Sequence, residues 1–272
     1  MQTRMSDHAL REAELWTALG GVTDPELDEP VTSMGFVERA VINGDGTVEV
    51  DFRLPTYWCS PNFAFLMLDD IRRALQDLSW TPRFGIRLHD HMFAAEVNAG
   101  LAEGRPFEAI FGDLAGDQGL DELRETFRMK AYKRRQEAVL RGLRADGFSD
   151  SRIVDMSVGE FAAVIFEADA EARQQKPRYL AARQSLAGGC GPGDPAFLTW
   201  EGARIPVEDL ADYLSHLRRL RVNMEFSGAL CRGLKSTRYK EMDVVDGEPT
   251  LVDFMLDRVP ARPTATCCEG TC

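Results

Sequence analysis

The sequence predicts an α+β fold, a small α-β-β-α-β unit followed by a mainly α-helical C-terminal region. Three patterns carry this expectation. Val48, Val50 and Phe52 alternate with Glu49, Asp51 and Arg53, as in a strand with one wet face. Phe63 to Leu78 is apolar at helical spacing. Beyond Gly112 the patterns lengthen into helices. The expected division is an N-terminal domain over 1–110, a mainly helical recognition region over 111–260, and a flexible cysteine-rich tail over 261–272.

The elements follow in chain order. Residues 9–19, ALREAELWTAL, place Leu10, Ala13, Trp16 and Leu19 at three-residue spacing, which predicts a short amphipathic helix ending at Gly20-Gly21. Asp24-Pro25-Glu26 is a turn, since proline fixes its own φ and drives Asp24 out of the helical region. Phe36 to Ile42 and Thr47 to Leu54 form a hairpin about Asn43-Gly44-Asp45-Gly46. After the helix over 63–78, Phe84 to Leu88 with Met92 and Phe93 reads as a third strand.

In the second half, helices are expected over Asp121 to Leu143 and over Ser157 to about Gln184, the latter opened by a capping box of Ser157 and Glu160. Gly188 to Pro195 is a break that lacks the lysine of a phosphate loop, so Cys190 reads as part of a linker. Pro206 opens another amphipathic helix running towards Leu230, in which Cys231 is a packing residue. Tyr239 to Val259, with Asp246-Gly247-Glu248-Pro249 between two β-prone runs, suggests a terminal hairpin.

The 272 residues are 44% hydrophobic and 28% charged, as in a soluble globular protein, and the net charge is −12. That charge disfavours binding to nucleic acid or an anionic membrane surface. The basic run from Lys130 to Arg135, with Arg141 and Arg144, reads as the solvated face of a helix. No run approaches the roughly 18 apolar residues of a membrane span, and MQTRMSDHALREAELW is too charged for a signal peptide, so the cytoplasm is the expected location.

Six cysteines, at 59, 190, 231, 267, 268 and 272, are not spaced like a secreted disulfide framework. Cys59 stands where a strand hands over to a helix, in Pro55-Thr56-Tyr57-Trp58-Cys59-Ser60-Pro61. The helix beginning there would present unpaired amides and a positive dipole end near the sulfur, favouring thiolate. The other reading is a buried cysteine beside Trp58. His89 and His91, two apart on the expected third strand, would share a face and could share a metal with Asp24 or Glu26. Cys267, Cys268 and Cys272 could wrap a soft metal with Cys59 as a fourth ligand, or form a redox-active pair. No G-x-S-x-G or H-E-x-x-H motif is present, and no catalytic constellation is assigned.

Taken in order, Asp24-Pro25-Glu26, the Gly35-Phe36-Val37 strand start, Pro55-Thr56 and Cys59 at the head of an apolar helix resemble the metal-sulfur cluster assembly domain of the SufT and PaaD type, over about residues 9–100. Tyr57-Trp58 makes the spacing from Thr56 to Cys59 one residue shorter than is usual there. The resemblance implies a non-enzymatic maturation factor that helps deliver an iron-sulfur cluster or iron, held transiently, to a client. Cys59, Thr56, Asp24 and Glu26 are then the residues around the cargo. Client metalloenzymes, with a metal-dependent oxygenase as one such client, and iron-sulfur carriers are the implied partners, and a homodimer is left open. Two alternatives remain: a thiol redox enzyme using Cys59 and the C-terminal cysteines, and a metal-independent chaperone or scaffold.

Overall fold

Asp7–Gly21 forms helix α1, which buries Leu15 and Leu19 and leaves Leu10 and Trp16 exposed. The expected stripe at three-residue spacing therefore does not form the inner face. Each three-residue step falls about 60° short of a turn, so Leu10 and Leu19 end on opposite sides, whereas Leu15 and Leu19 are stacked one turn apart. The coordinates are a computed structural model that describes residues 7–80, 82–112, 120–186 and 189–239, with two short strands at 244–245 and 248–249.

Strands β1 (Val37–Ile42) and β2 (Val48–Arg53) pair antiparallel, with Ile42 opposite Val48, and Glu38 bulges out of register near the start. Asp45 closes the turn by accepting from the Thr47 amide at 2.9 Å. Helix α2 (Pro61–Gln76) then crosses over and delivers β3 (Phe84–His89) parallel to β2 on its free edge. Val48, Val50 and Phe52 are buried, as their alternation requires, and pack in one core with α1 and α2. The α+β order predicted from the sequence is the order observed.

The third strand stops at His89 because Asp90 takes φ of 47°, a left-handed conformation that no strand continues through. Met92 and Phe93 consequently leave the sheet, and Phe93 packs against Phe111 with ring centroids 5.3 Å apart. Helix α3 (Ala94–Ala102) turns back over β3, where Asn98 accepts from the Leu88 amide at 2.8 Å and donates to its carbonyl at 3.0 Å. That side chain satisfies backbone polar groups a sheet edge would otherwise expose. The short helix α4 (Phe107–Phe111) completes the first core.

The second half is helical: α5 (Leu120–Ala145), α6 (Asp150–Val154), α7 (Val158–Ala163), α8 (Ala170–Gln184) and α9 (Leu210–Tyr239). The Ser157–Glu160 capping box forms as expected. The single helix expected over 157–184 does not: Val164 is extended, and Asp169 caps a new helix by accepting from the Ala172 amide at 2.9 Å. Phe166, in the break, is buried in the second core, so its burial replaces the hydrogen bonds that continuous helix would have kept. The terminal strands β4 (Val244–Val245) and β5 (Glu248–Pro249) pair, which moves Glu248-Pro249 from the expected turn into the ladder. Among the described residues no helix is long and apolar enough to cross a membrane.

Helices α5 and α8 approach closely at Gly142, where a Cβ would lie 2.6 Å from that of Ala172 and 2.9 Å from Cε1 of Phe166. Alanine would gain about 1 kcal/mol in helix propensity. Overpacking costs about 1–3 kcal/mol and wins, so Gly142→Ala lowers the urea midpoint; an unchanged or higher midpoint would show that the crossing can open freely.

Buried apolar side chains fall into two clusters, one drawn from residues 15–111 and the other from 132–217. They meet along α5. Phe127 packs edge-on to Phe63 with centroids 5.1 Å apart, and Arg124 reaches Asp70 at 2.8 Å and Asp69 at 3.1 Å. At the centre is Asp28, whose side chain is 1% exposed and whose φ is 55°. Arg135 bonds it at 2.6 and 2.8 Å and Arg178 of α8 at 2.7 Å, with Arg134 at 4.0 Å. The basic run is therefore not simply a solvated face, because Arg134 and Arg135 turn onto a carboxylate from the other core.

Candidate functional site

The site is built from two loops and the end of α9. The first loop is the acidic turn. Asp24 Oδ1 accepts from the amides of Glu26 and Leu27, each at 2.9 Å, and its own amide donates to the Glu29 carbonyl at 2.8 Å. Asp24 is buried, and burial, the largest influence, raises its pKa to about 6 against the lowering effect of those two amides. Glu26, half exposed, points towards Lys130 at 3.9 Å.

The second loop carries Cys59. Pro61 opens α2 behind it, so the thiol sits just before the first helical turn. The Thr56 hydroxyl lies 3.2 Å from Cys59 Sγ and is the donor whenever that sulfur is a thiolate. Cys59 is partly buried and packs against the first core, while the adjacent Trp58 is 74% exposed and stands edge-on to Tyr57 at 5.1 Å. The indole beside it projects outward, so the core packing of Cys59 comes from the first cluster and leaves the residue only partly buried.

His91 fixes this loop from behind. Its Nδ1 accepts from the Phe93 amide at 3.2 Å, so Nε2 carries the proton and donates to the Cys59 carbonyl at 2.7 Å. Burial holds its pKa below the ordinary imidazole value despite that carbonyl, and the nearby Arg238 adds to the effect. The Met92 amide also donates to the Tyr57 carbonyl at 3.0 Å. His89 goes elsewhere, with Nε2 2.8 Å from Asp51 Oδ1. The shared face expected for the two histidines does not form, because the turn at Asp90 ends the alternation between them. Among the described residues no group of three or more His, Cys, Asp or Glu side chains is arranged to hold a metal ion. Cys267, Cys268 and Cys272 lie outside the described residues.

A residue read as mere packing also reaches the site. Cys231, on α9, packs against the first core with Cys59. Its pKa is pushed up to about 11, chiefly by burial and then by the charges of Asp24, Cys59 and Glu26. Only the fold brings these groups together. In sequence, Cys231 between Leu230 and Leu234 has no feature that distinguishes it from a core thiol, and Asp28 is hidden in an acidic run.

Asp24, Glu26, Thr56 and Cys59 all fall within residues 12–82, the stretch that matches the family described as iron-sulfur cluster assembly protein. The N-terminal unit is similar to that family over this stretch, and the match supports a role in iron-sulfur cluster assembly. No curated protein matches the chain.

Proposed function

We propose that the chain is an accessory maturation factor that assists the assembly of an iron-sulfur cluster or metal centre, or its insertion, in a client enzyme. The observation that carries this reading is the placement of Cys59: a partly exposed sulfur at the head of α2, hydrogen-bonded to Thr56, on a loop held by His91. A thiolate there is a soft ligand for iron, and Thr56 can stabilise it without competing for the metal. Among the described residues the site is short of ligands for a resident cluster, which suits cargo that is passed on, with carriers and the client supplying the remaining thiolates.

Trp58, Tyr57 and Met92 are exposed around this loop and offer an apolar surface for a protein partner. The helical region is the part that would recognise the client, a metal-dependent oxygenase being one class that fits the role. Anaerobic reconstitution with ferrous iron and sulfide tests the reading. Wild-type chain should take up both and Cys59→Ser should lose most of the uptake; equal iron and sulfide in the two proteins would refute a Cys59-centred function.

A further inference from the structure

Helix α9 carries a row of large apolar side chains that face solvent. Val222, Phe226, Leu230 and Leu234 are all exposed, Phe226 to 71%. Each is four residues from the next, so together they form one ridge of the helix surface. Exposed apolar residues scattered singly are ordinary, whereas a continuous row of four is a patch that marks an interaction site. Leu210, Leu217 and Met224 of the same helix are buried, so α9 is anchored without the row.

Both ends of the row are defined. One step towards the N-terminus stands Arg218, which lines a cleft of about 440 Å³ between α5 and α9 together with Glu137, Arg141, Arg144 and Arg221. Arg144 is paired with Asp150 at 2.8 Å, Arg141 with Glu171 at 2.7 Å and Arg221 with Glu137 at 3.1 Å. Arg218 makes no ion pair among the described residues, and neither does its exposed neighbour Arg219. Two unmatched cations therefore head the row in a chain whose net charge is −12. One step beyond Leu234 is Arg238, which donates to the Asp90 carbonyl at 3.1 Å. The 90–92 segment is bonded in turn to the Cys59 loop, the Met92 amide donating to the Tyr57 carbonyl at 3.0 Å. The row thus leads from the unpaired arginines towards the loop that carries Cys59.

We propose that this face of α9 seats an amphipathic helix of the client, with its apolar side along the row from Val222 to Leu234 and acidic residues at one end against Arg218 and Arg219. The proposal rests on the reading of the helical region as the client-recognising part, and it gives that part a surface and a partner chemistry. A ridge at four-residue spacing fits the groove between two ridges of a second helix. Carboxylates match the unpaired guanidinium groups, and the charge at one end of the row fixes the direction in which the partner lies. A second copy of the chain fits poorly: antiparallel pairing about the middle of the row sets Arg218 against Arg238, like charge on like. An anionic lipid surface is repelled by the net charge of −12. A client seated here is tethered beside the Cys59 loop, which raises the effective concentration of its ligands there.

The test uses full-length chain and a fluorescein-labelled synthetic helical peptide with leucines at i, i+4 and i+8 and a run of glutamates at one end, binding being read by fluorescence anisotropy. Wild type should bind it at least about tenfold more tightly than the same peptide with lysines in place of the glutamates, and salt should narrow the difference. Phe226→Ser should weaken binding about tenfold, the scale of losing an aromatic anchor, and Arg218→Ala with Arg219→Ala should abolish the preference. All three side chains are exposed, and the wild-type preference is read without any variant. Dimerisation in the ultracentrifuge, or flotation with phosphatidylserine vesicles, that Phe226→Ser abolishes would give the row another occupant and overturn the proposal. If the two peptides bind equally or not at all while iron uptake still depends on Cys59, the docking face falls and the maturation reading stands. If the preference holds while uptake is indifferent to Cys59, the face stands without that reading.

Discussion

Asp28→Asn should destabilise the protein by about 3–5 kcal/mol, the usual consequence of removing one partner from a buried ion pair. Asparagine is the informative replacement because it tolerates the left-handed φ of 55° at this position and keeps the side-chain shape. What changes is charge. One carboxylate, 1% exposed, faces Arg135 and Arg178 within hydrogen-bonding distance and Arg134 at 4.0 Å. Burial already lowers the pKa of Arg178, and Asp28 works against that. Without it, three guanidinium groups crowd a site at the junction of the two cores. Urea denaturation measures the loss, and a change below about 1 kcal/mol, the scale of an exposed pair, would show that Asp28 does not clamp the cores.

Asp24→Asn should act in the opposite direction. A carboxyl whose pKa is raised in the folded protein stabilises it most when protonated, and that contribution is lost as pH rises through the folded value. For Asp24 the window runs from about pH 4 to about pH 6, and above it the charged, buried group costs about 3 kcal/mol. Both amide bonds of the turn go to one oxygen, which asparagine retains. The variant should therefore be more stable than wild type at neutral pH by about 1–3 kcal/mol and should lose the slope between pH 4 and 6. An unchanged slope would mean that Asp24 is not the group that titrates. A carboxylate kept at such a cost is the pattern expected of a group retained for function.

The parts of the fold legible in sequence are those set by local physics. Alternation at Val48, Val50 and Phe52 fixes the inner face of β2, and Ser157 with Glu160 fixes the start of α7. Local signals failed where burial of a distant partner decided the outcome. Phe166 breaks a helix in order to enter the second core, and Arg134 and Arg135 leave a solvated face for Asp28. The site divides in the same way. Cys59 and Thr56 are close in sequence and their contact follows from the turn between them. His91 holds the loop through a backbone carbonyl, which no motif encodes, and Cys231 arrives on α9 from more than 170 residues away in the chain.

In the proposed function Cys59 is the sulfur that passes cargo on. Transfer from anaerobically loaded chain to an apo-ferredoxin acceptor, followed by the circular dichroism of the acceptor's cluster, measures this directly. Wild type should load the acceptor faster than equimolar free iron and sulfide, and Cys59→Ala should be no faster than the free components. Equal transfer rates for Cys59→Ala and wild type would contradict the account.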